Sequence, residues 1–169
     1  MKATDVIADG FERIREIVHE VVEGLPAQQL NARVDPAANS ITWLVWHLTR
    51  IQDDHVAQAA GLEQVWQGGG WVARFALSLP TGSTGYGHTA RQAGAVEADS
   101  GELLLGYFDA VHEQSVRFVR GLAAADLDRV VDERFDPPVT LGVRLVSVLA
   151  DDLQHAGQAA FVRGLLERR

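Results

Sequence analysis

From Thr4 onward, Val6, Ile7, Phe11, Ile14, Ile17, Val18, Val21 and Val22 recur at intervals of three and four residues, and Gly24 and Pro26 follow. That period lines the apolar side chains along one face, so the spacing predicts an amphipathic helix capped at Thr4 and stopped at Gly24. A second helical pattern begins after Asn39 or Ser40, carries Ile41, Leu44, Val45, Leu48, Ile51 and Val56, and stops at Gly61. The third opens near Asp99 with Glu102 in capping-box register and runs through Leu103, Leu104, Tyr107, Phe108, Val111, Val116 and Val119 to Gly121. The fourth opens at Thr140, behind Pro137 and Pro138, and passes Leu141, Leu145, Val148, Leu149, Leu153, Ala156, Ala160, Phe161 and Leu165 toward Arg169. Little between these segments alternates as a strand does. The expected fold class is all-α, an antiparallel four-helix bundle, as one domain over residues 1–169.

The connections are unequal. Between the second and third helices, roughly Gly61 to Ala98, lie Gly68-Gly69-Gly70, then Trp71 and Phe75, then the run Pro80 to His88 with three glycines in it. A connection of this length in a compact domain usually serves function. Trp71 to Leu79 reads as a short helix over one end of the bundle, and the whole segment as a lid. Its glycines follow no strand and form no GxGxxG or Walker pattern, which argues against a nucleotide-phosphate cradle.

Composition narrows the function. A formal charge of −8 with no basic tract argues against nucleic acid or an anionic membrane as partner. No window approaches a membrane span and Met1 to Asp9 lacks a signal-peptide core, so a cytoplasmic location is expected. There is no cysteine. That excludes disulfides, cysteine-ligated metals and a cysteine nucleophile, and leaves thiol chemistry only to a thiol from outside. One lysine stands against 14 arginines, and Ala, Val and Gly are abundant, as in a GC-rich bacterial genome.

Polar residues on a core-facing stripe must be partnered or functional. His47 sits near the buried stripe of the second helix, and Asp151, Asp152 and His155 interrupt the run between Leu149 and Ala156 in the fourth. Asp151 and His155, four apart, share one helix face, as do Asp152 and His155, three apart. A carboxylate and two neutral imidazoles converging there would hold a divalent ion and leave a position open for water or substrate. Imidazole favours Zn²⁺, Ni²⁺ or Fe²⁺ over Ca²⁺ or Mg²⁺. The alternatives are a hydrogen-bonded core histidine and a surface Asp–His pair.

The segments Asn39 to Leu48 (NSITWLVWHL) and Asp151 to Gln158 (DDLQHAGQ), the latter continuing to Arg163-Gly164, resemble the two signature helices of the DinB/YfiT-like superfamily. The likeness extends over nearly the whole chain, including Thr84-Gly85-Tyr86-Gly87-His88. It implies a four-helix bundle with a divalent metal held by one histidine of the second helix and two ligands of the fourth. On that pattern the metal ligands are His47, Asp151 and His155, with Asp151 at a position more often histidine. A related branch, the mycothiol-dependent maleylpyruvate isomerases, is similar in carrying a carboxylate there.

The resemblance further implies a metal-dependent S-transferase or isomerase using a low-molecular-weight thiol, with mycothiol the natural candidate, and a homodimer, for which the amphipathic first and third helices offer lateral faces that could pair across a two-fold axis. A hydrolase using the same ion on water and a non-catalytic bundle are the other readings. Trp43 is expected in the pocket wall. Asp54 is read as a supporting acceptor or a solvated helix end, and His88 as a metal- or substrate-reaching residue or a surface one. Gln158 is read as orienting a ligand or bonding the next helix, and Arg163 as meeting an anion or a helix terminus. His55 and His112 are expected to be structural or exposed, and His19 without function.

Overall fold

The computed structural model describes residues 1–168 and is mostly helical. In chain order come α1 (Ala3–Val22), the short α2 (Ala27–Leu30), α3 (Ile41–Ala60), three short helices α4 (Val65–Gly68), α5 (Trp71–Phe75) and α6 (Ala90–Gly94), and α7 (Gly101–Arg120). A 3₁₀ turn (Ala124–Asp128), strands β1 (Val130–Asp132) and β2 (Val139–Thr140), and α8 (Leu141–Leu166) complete it.

Local chemistry sets the helix starts. Ser40 Oγ accepts the Trp43 N–H at 3.0 Å to open α3, and Thr140 Oγ1 accepts that of Val143 at 3.4 Å to open α8. Two starts differ from the sequence expectation. α1 begins two residues earlier, because the Asp5 carboxylate accepts the Lys2 N–H at 2.8 Å, and Thr4 is buried within the first turn rather than capping it. For α7 the cap is Ser100, not Asp99: its Oγ accepts the Leu103 N–H at 3.2 Å. The expected run of the last helix toward Arg169 ends, for the described residues, at Leu166; Arg169 lies outside them.

The expectation of no strand is corrected by the hairpin β1–β2, which pairs antiparallel with Val130 opposite Thr140 and Asp132 opposite Val139. Its β-branched residues suit a strand, but two or three residues are too few for alternation to register in a sequence. The expected short helix at Trp71 to Leu79 closes already at Phe75.

α3 and α1 each pack on both α7 and α8. His47 lies beside His155 at one level and His55 meets Arg144 at another, so α3 and α8 run in opposite directions. Phe11, Ile14, Leu48, Leu104, Phe108 and Leu145 are fully buried between the four long helices. Each such side chain stabilises the fold by about 1.5–3 kcal/mol relative to exposure.

A buried polar cluster ties the long connection to this core. Asp53 accepts the N–H groups of Val65 and Trp66, both at 2.8 Å, and the Tyr107 hydroxyl at 2.9 Å. Arg50, itself fully buried, pairs with Asp53 at 3.5 Å and donates to Gln64 Oε1 at 2.9 Å and to the Ser83 carbonyl at 3.1 Å. Its guanidinium also lies over the Trp66 ring. Burial pushes the Asp53 carboxyl above its ordinary range, against the pull of these donors. The cluster therefore fixes both α4 and the segment at Ser83 against α3 and α7.

Candidate metal centre

His47 lies two turns into α3, and Asp151 and His155 lie on adjacent turns of α8. The helices bring them together so that one ligand atom from each lies within 4.8 Å of the others. The His47 and His155 rings meet edge-on with centroids 4.7 Å apart, and Asp151 Oδ1 lies 3.7 Å from His155 Nε2. His47 is buried; the other two are half-buried, so the group opens to solvent on the α8 side.

Each imidazole is held by its Nδ1. His47 Nδ1 donates to the Thr84 carbonyl at 2.5 Å, and His155 Nδ1 to Gln158 Oε1 at 3.0 Å. Since a carbonyl oxygen only accepts, both protons sit on Nδ1 and both Nε2 lone pairs are left for a cation. Burial lowers the His47 pKa most, with the Thr84 carbonyl opposing and the neighbouring His155 assisting, which keeps the imidazole neutral at neutral pH. Asp151 Oδ2 is buried and has no hydrogen-bond partner among the protein atoms. An unmatched carboxylate oxygen beside two free imidazole lone pairs is a donor set that could hold a divalent ion.

Asp152, the other candidate carboxylate, falls outside this group. It is fully buried, neither oxygen has a protein partner, and burial followed by the Asp151 charge drives its carboxyl well above the usual range.

The residues 83–88 loop supports His47. Gly85 has φ +94°, and a Cβ built on it would lie 2.5 Å from His47 Nδ1 and 3.2 Å from Trp43 Cζ2, so only glycine lets the Thr84 carbonyl come this close. Trp43, expected in the pocket wall, stacks on His47 at 4.6 Å and meets His155 edge-on at 6.1 Å. His88 reaches no ligand of the group. Its Nδ1 accepts the Trp43 indole N–H at 3.2 Å, which places its own proton on Nε2, 2.8 Å from Ser83 Oγ. His88 is thus a pin for the loop, and burial lowers its pKa.

The remaining singled-out residues have plain partners. Gln158 orients His155 as described. Arg163 donates to the carbonyls of Glu20, Val21 and Glu23, so it caps the end of α1. Asp54 accepts from Gln64 at 2.7 Å, His112 Nε2 donates to the Glu12 carboxylate at 3.1 Å, and His19 bridges Glu23 and Asp109. His55 is engaged by Arg144 at 2.6 Å.

The sequence reading passed over Arg50, Asp53, Tyr107 and Arg144. Arg50 and Asp53 carried a usable signal, since they stand three apart on the helix stripe that also carries Trp46 and Ala57. Arg144 carried none: its partners arrive from 89 residues upstream and from the unforeseen hairpin.

A search of the curated proteins found no match. A crystal structure of a conserved protein from Enterococcus faecalis is similar at a TM-score of 0.93 and 30% identity, with 100% of this chain and 99% of that chain covered. The sequence pattern of the DinB superfamily matches residues 10–159. The match spans both helices that carry His47, Asp151 and His155, and the chain belongs to the DinB superfamily.

Proposed function

We propose that the protein is a divalent-metal-dependent S-transferase, built as an antiparallel four-helix bundle, that joins a low-molecular-weight thiol, mycothiol first, to an organic electrophile. The observation that carries this reading is the convergence of His47, Asp151 and His155 beside an open cavity of about 770 Å³ that Asp151 also lines. A bound Zn²⁺, Ni²⁺ or Fe²⁺ supplies the positive charge that lowers the pKa of a thiol into the neutral range.

The protein's own residues do the rest. Thr84 and Gln158 hold the two imidazoles in the tautomer that presents Nε2. Trp43 and Gly85 wall off His47 on the loop side, so a ligand enters over Asp151 and His155. In the overall reaction the thiol S–H bond and the bond from carbon to the electrophile's leaving group break, an S–C bond forms, and the proton leaves with that group. With no cysteine in the chain, no protein thiol competes.

The homodimer is proposed through α8 rather than through the first and third helices. From Val143 to Phe161 the exposed residues of α8 include Val143, Val146, Leu153 and Phe161 and no charged side chain, on a molecule of net charge −8. Two copies repel least where this face meets itself.

Elemental analysis of untagged protein is the test, followed by thiol consumption with monobromobimane as electrophile. The expected result is about one equivalent of transition metal, lost in His47→Ala and Asp151→Ala, and thiol-dependent turnover that a chelator stops. Metal-dependent ester cleavage without thiol would replace the proposal with a hydrolase. Failure to take up metal after reconstitution would leave the non-catalytic bundle.

A further inference from the structure

The cavity beside Asp151 has a second, differently built end. Arg144 stands seven residues before Asp151 on α8, about 10 Å along the helix, and His55 stands eight after His47 on α3, about 12 Å along it. Because the two helices run in opposite directions, these shifts bring Arg144 and His55 to the same level, where Arg144 Nη1 donates to His55 Nδ1 at 2.6 Å. The hairpin closes this end. Asp132 on β1 accepts Arg144 Nη2 at 2.9 Å and Arg134 through both Nε and Nη2, at 2.9 and 2.7 Å.

Two guanidinium groups thus share one carboxylate. The two arginines hold the Asp132 carboxyl well below the usual carboxylate range, so it stays charged. Further donors remain. Arg134 is mostly exposed, and its Nη1 makes no hydrogen bond among the described residues; His55 spends its Nδ1 lone pair on Arg144, which leaves its Nε2–H. Two more carboxylates line the cavity, Asp54, held by the neutral Gln64 amide, and Asp151 of the candidate metal group, so the positive groups face the cavity only at the hairpin end, through Arg134 and Arg144. Between the two ends the wall is apolar, with Ile51 and Val148, and Tyr86 and Phe135 stand exposed at the rim.

We propose that Arg134, Arg144 and His55 form a carboxylate-binding subsite, and that the cavity takes an extended organic anion with its carboxylate here and its reacting end about 10 Å away at Asp151 and His155. The placement of the reacting end rests on the proposed metal reading; the anion subsite does not. The apolar middle selects a chain or ring between the two polar ends, and the exposed aromatic rings offer it stacking contact.

The test uses two ligand pairs in titration calorimetry on the whole protein. On metal-free protein, octanoate is compared with octan-1-ol; on zinc-loaded protein, 8-mercaptooctanoate is compared with 8-mercaptooctan-1-ol. The carboxylates are expected to bind about tenfold or more tightly than the alcohols in both states. That preference should vanish in Arg134→Gln and return in Arg134→Lys, with melting temperature as the check on folding. His155→Ala should keep the octanoate preference. Equal binding of octanoate and octan-1-ol by the wild type, or a preference unchanged in Arg134→Gln, would overturn the subsite. If instead the octanoate preference holds while zinc adds nothing to the mercapto ligand, the subsite stands and the metal reading falls.

Discussion

Gly85 and Gly87 lie two apart in the loop that holds His47, and both have positive φ, +94° and +71°. Alanine at either position meets the same kind of backbone penalty, about 1–2 kcal/mol. Their surroundings differ. A Cβ at Gly87 meets nothing within 4 Å, whereas one at Gly85 lies 2.5 Å from His47 Nδ1 and 3.1 Å from His47 Cγ. The Gly85→Ala loop must therefore back away and surrender the His47–Thr84 hydrogen bond, a further loss of about 1–1.5 kcal/mol. The totals are then about 1–2 kcal/mol for Gly87→Ala and about 2–3.5 kcal/mol for Gly85→Ala, or roughly 4–14 °C of melting temperature for the latter.

Metal affinity separates the two more sharply. Freed from Thr84, His47 loses its fixed tautomer and orientation, and zinc binding measured by competition with a chromophoric chelator should weaken about 10–100-fold in Gly85→Ala. Gly87→Ala should bind zinc as the wild type does. Equal melting losses in the two variants, together with unchanged zinc affinity in Gly85→Ala, would refute the argument that the loop orients His47.

Arg50→Met removes one member of a fully buried ion pair and leaves Asp53 charged and under-compensated, at a cost of about 3–5 kcal/mol in urea unfolding. A loss below about 1 kcal/mol would mean that the backbone N–H groups of α4 alone satisfy Asp53. Burial lowers the His112 pKa despite Glu12, so the unfolded chain takes up this proton first as pH falls. The stability of the metal-free protein should therefore decline from about pH 6.5 downward, and His112→Gln should flatten that decline in melting scans; an unchanged slope would count against it. Finally, Phe161→Glu with Leu153→Glu should convert a dimer to a monomer in sedimentation analysis without loss of helix content, since both side chains lie on the outer face of α8.

The periodicities of the four long segments carry most of the fold because each segment is long enough for a 3.6-residue stripe to stand out from local noise. The starts at Ser40 and Thr140 were legible for the same local reason: an N-cap acts within its own turn. At Asp99 and Thr4 a neighbouring residue, Ser100 or Asp5, made the competing bond, which is a matter of ångströms that spacing does not resolve. The grouping of Asp151 with His155 is also a local consequence, four residues on one helix.

That His47 joins them, and that Asp152 does not, follows only from how α3 and α8 pack and which way each face turns. The same holds for the Thr84 carbonyl on His47 Nδ1, which depends on a loop anchored through Arg50 and Asp53 to two other helices. The Arg144, His55 and Asp132 cluster joins residues from α3, a hairpin and α8. Nothing in one segment alone announces it, because a charge bonded across the fold reads in sequence as a charge facing water.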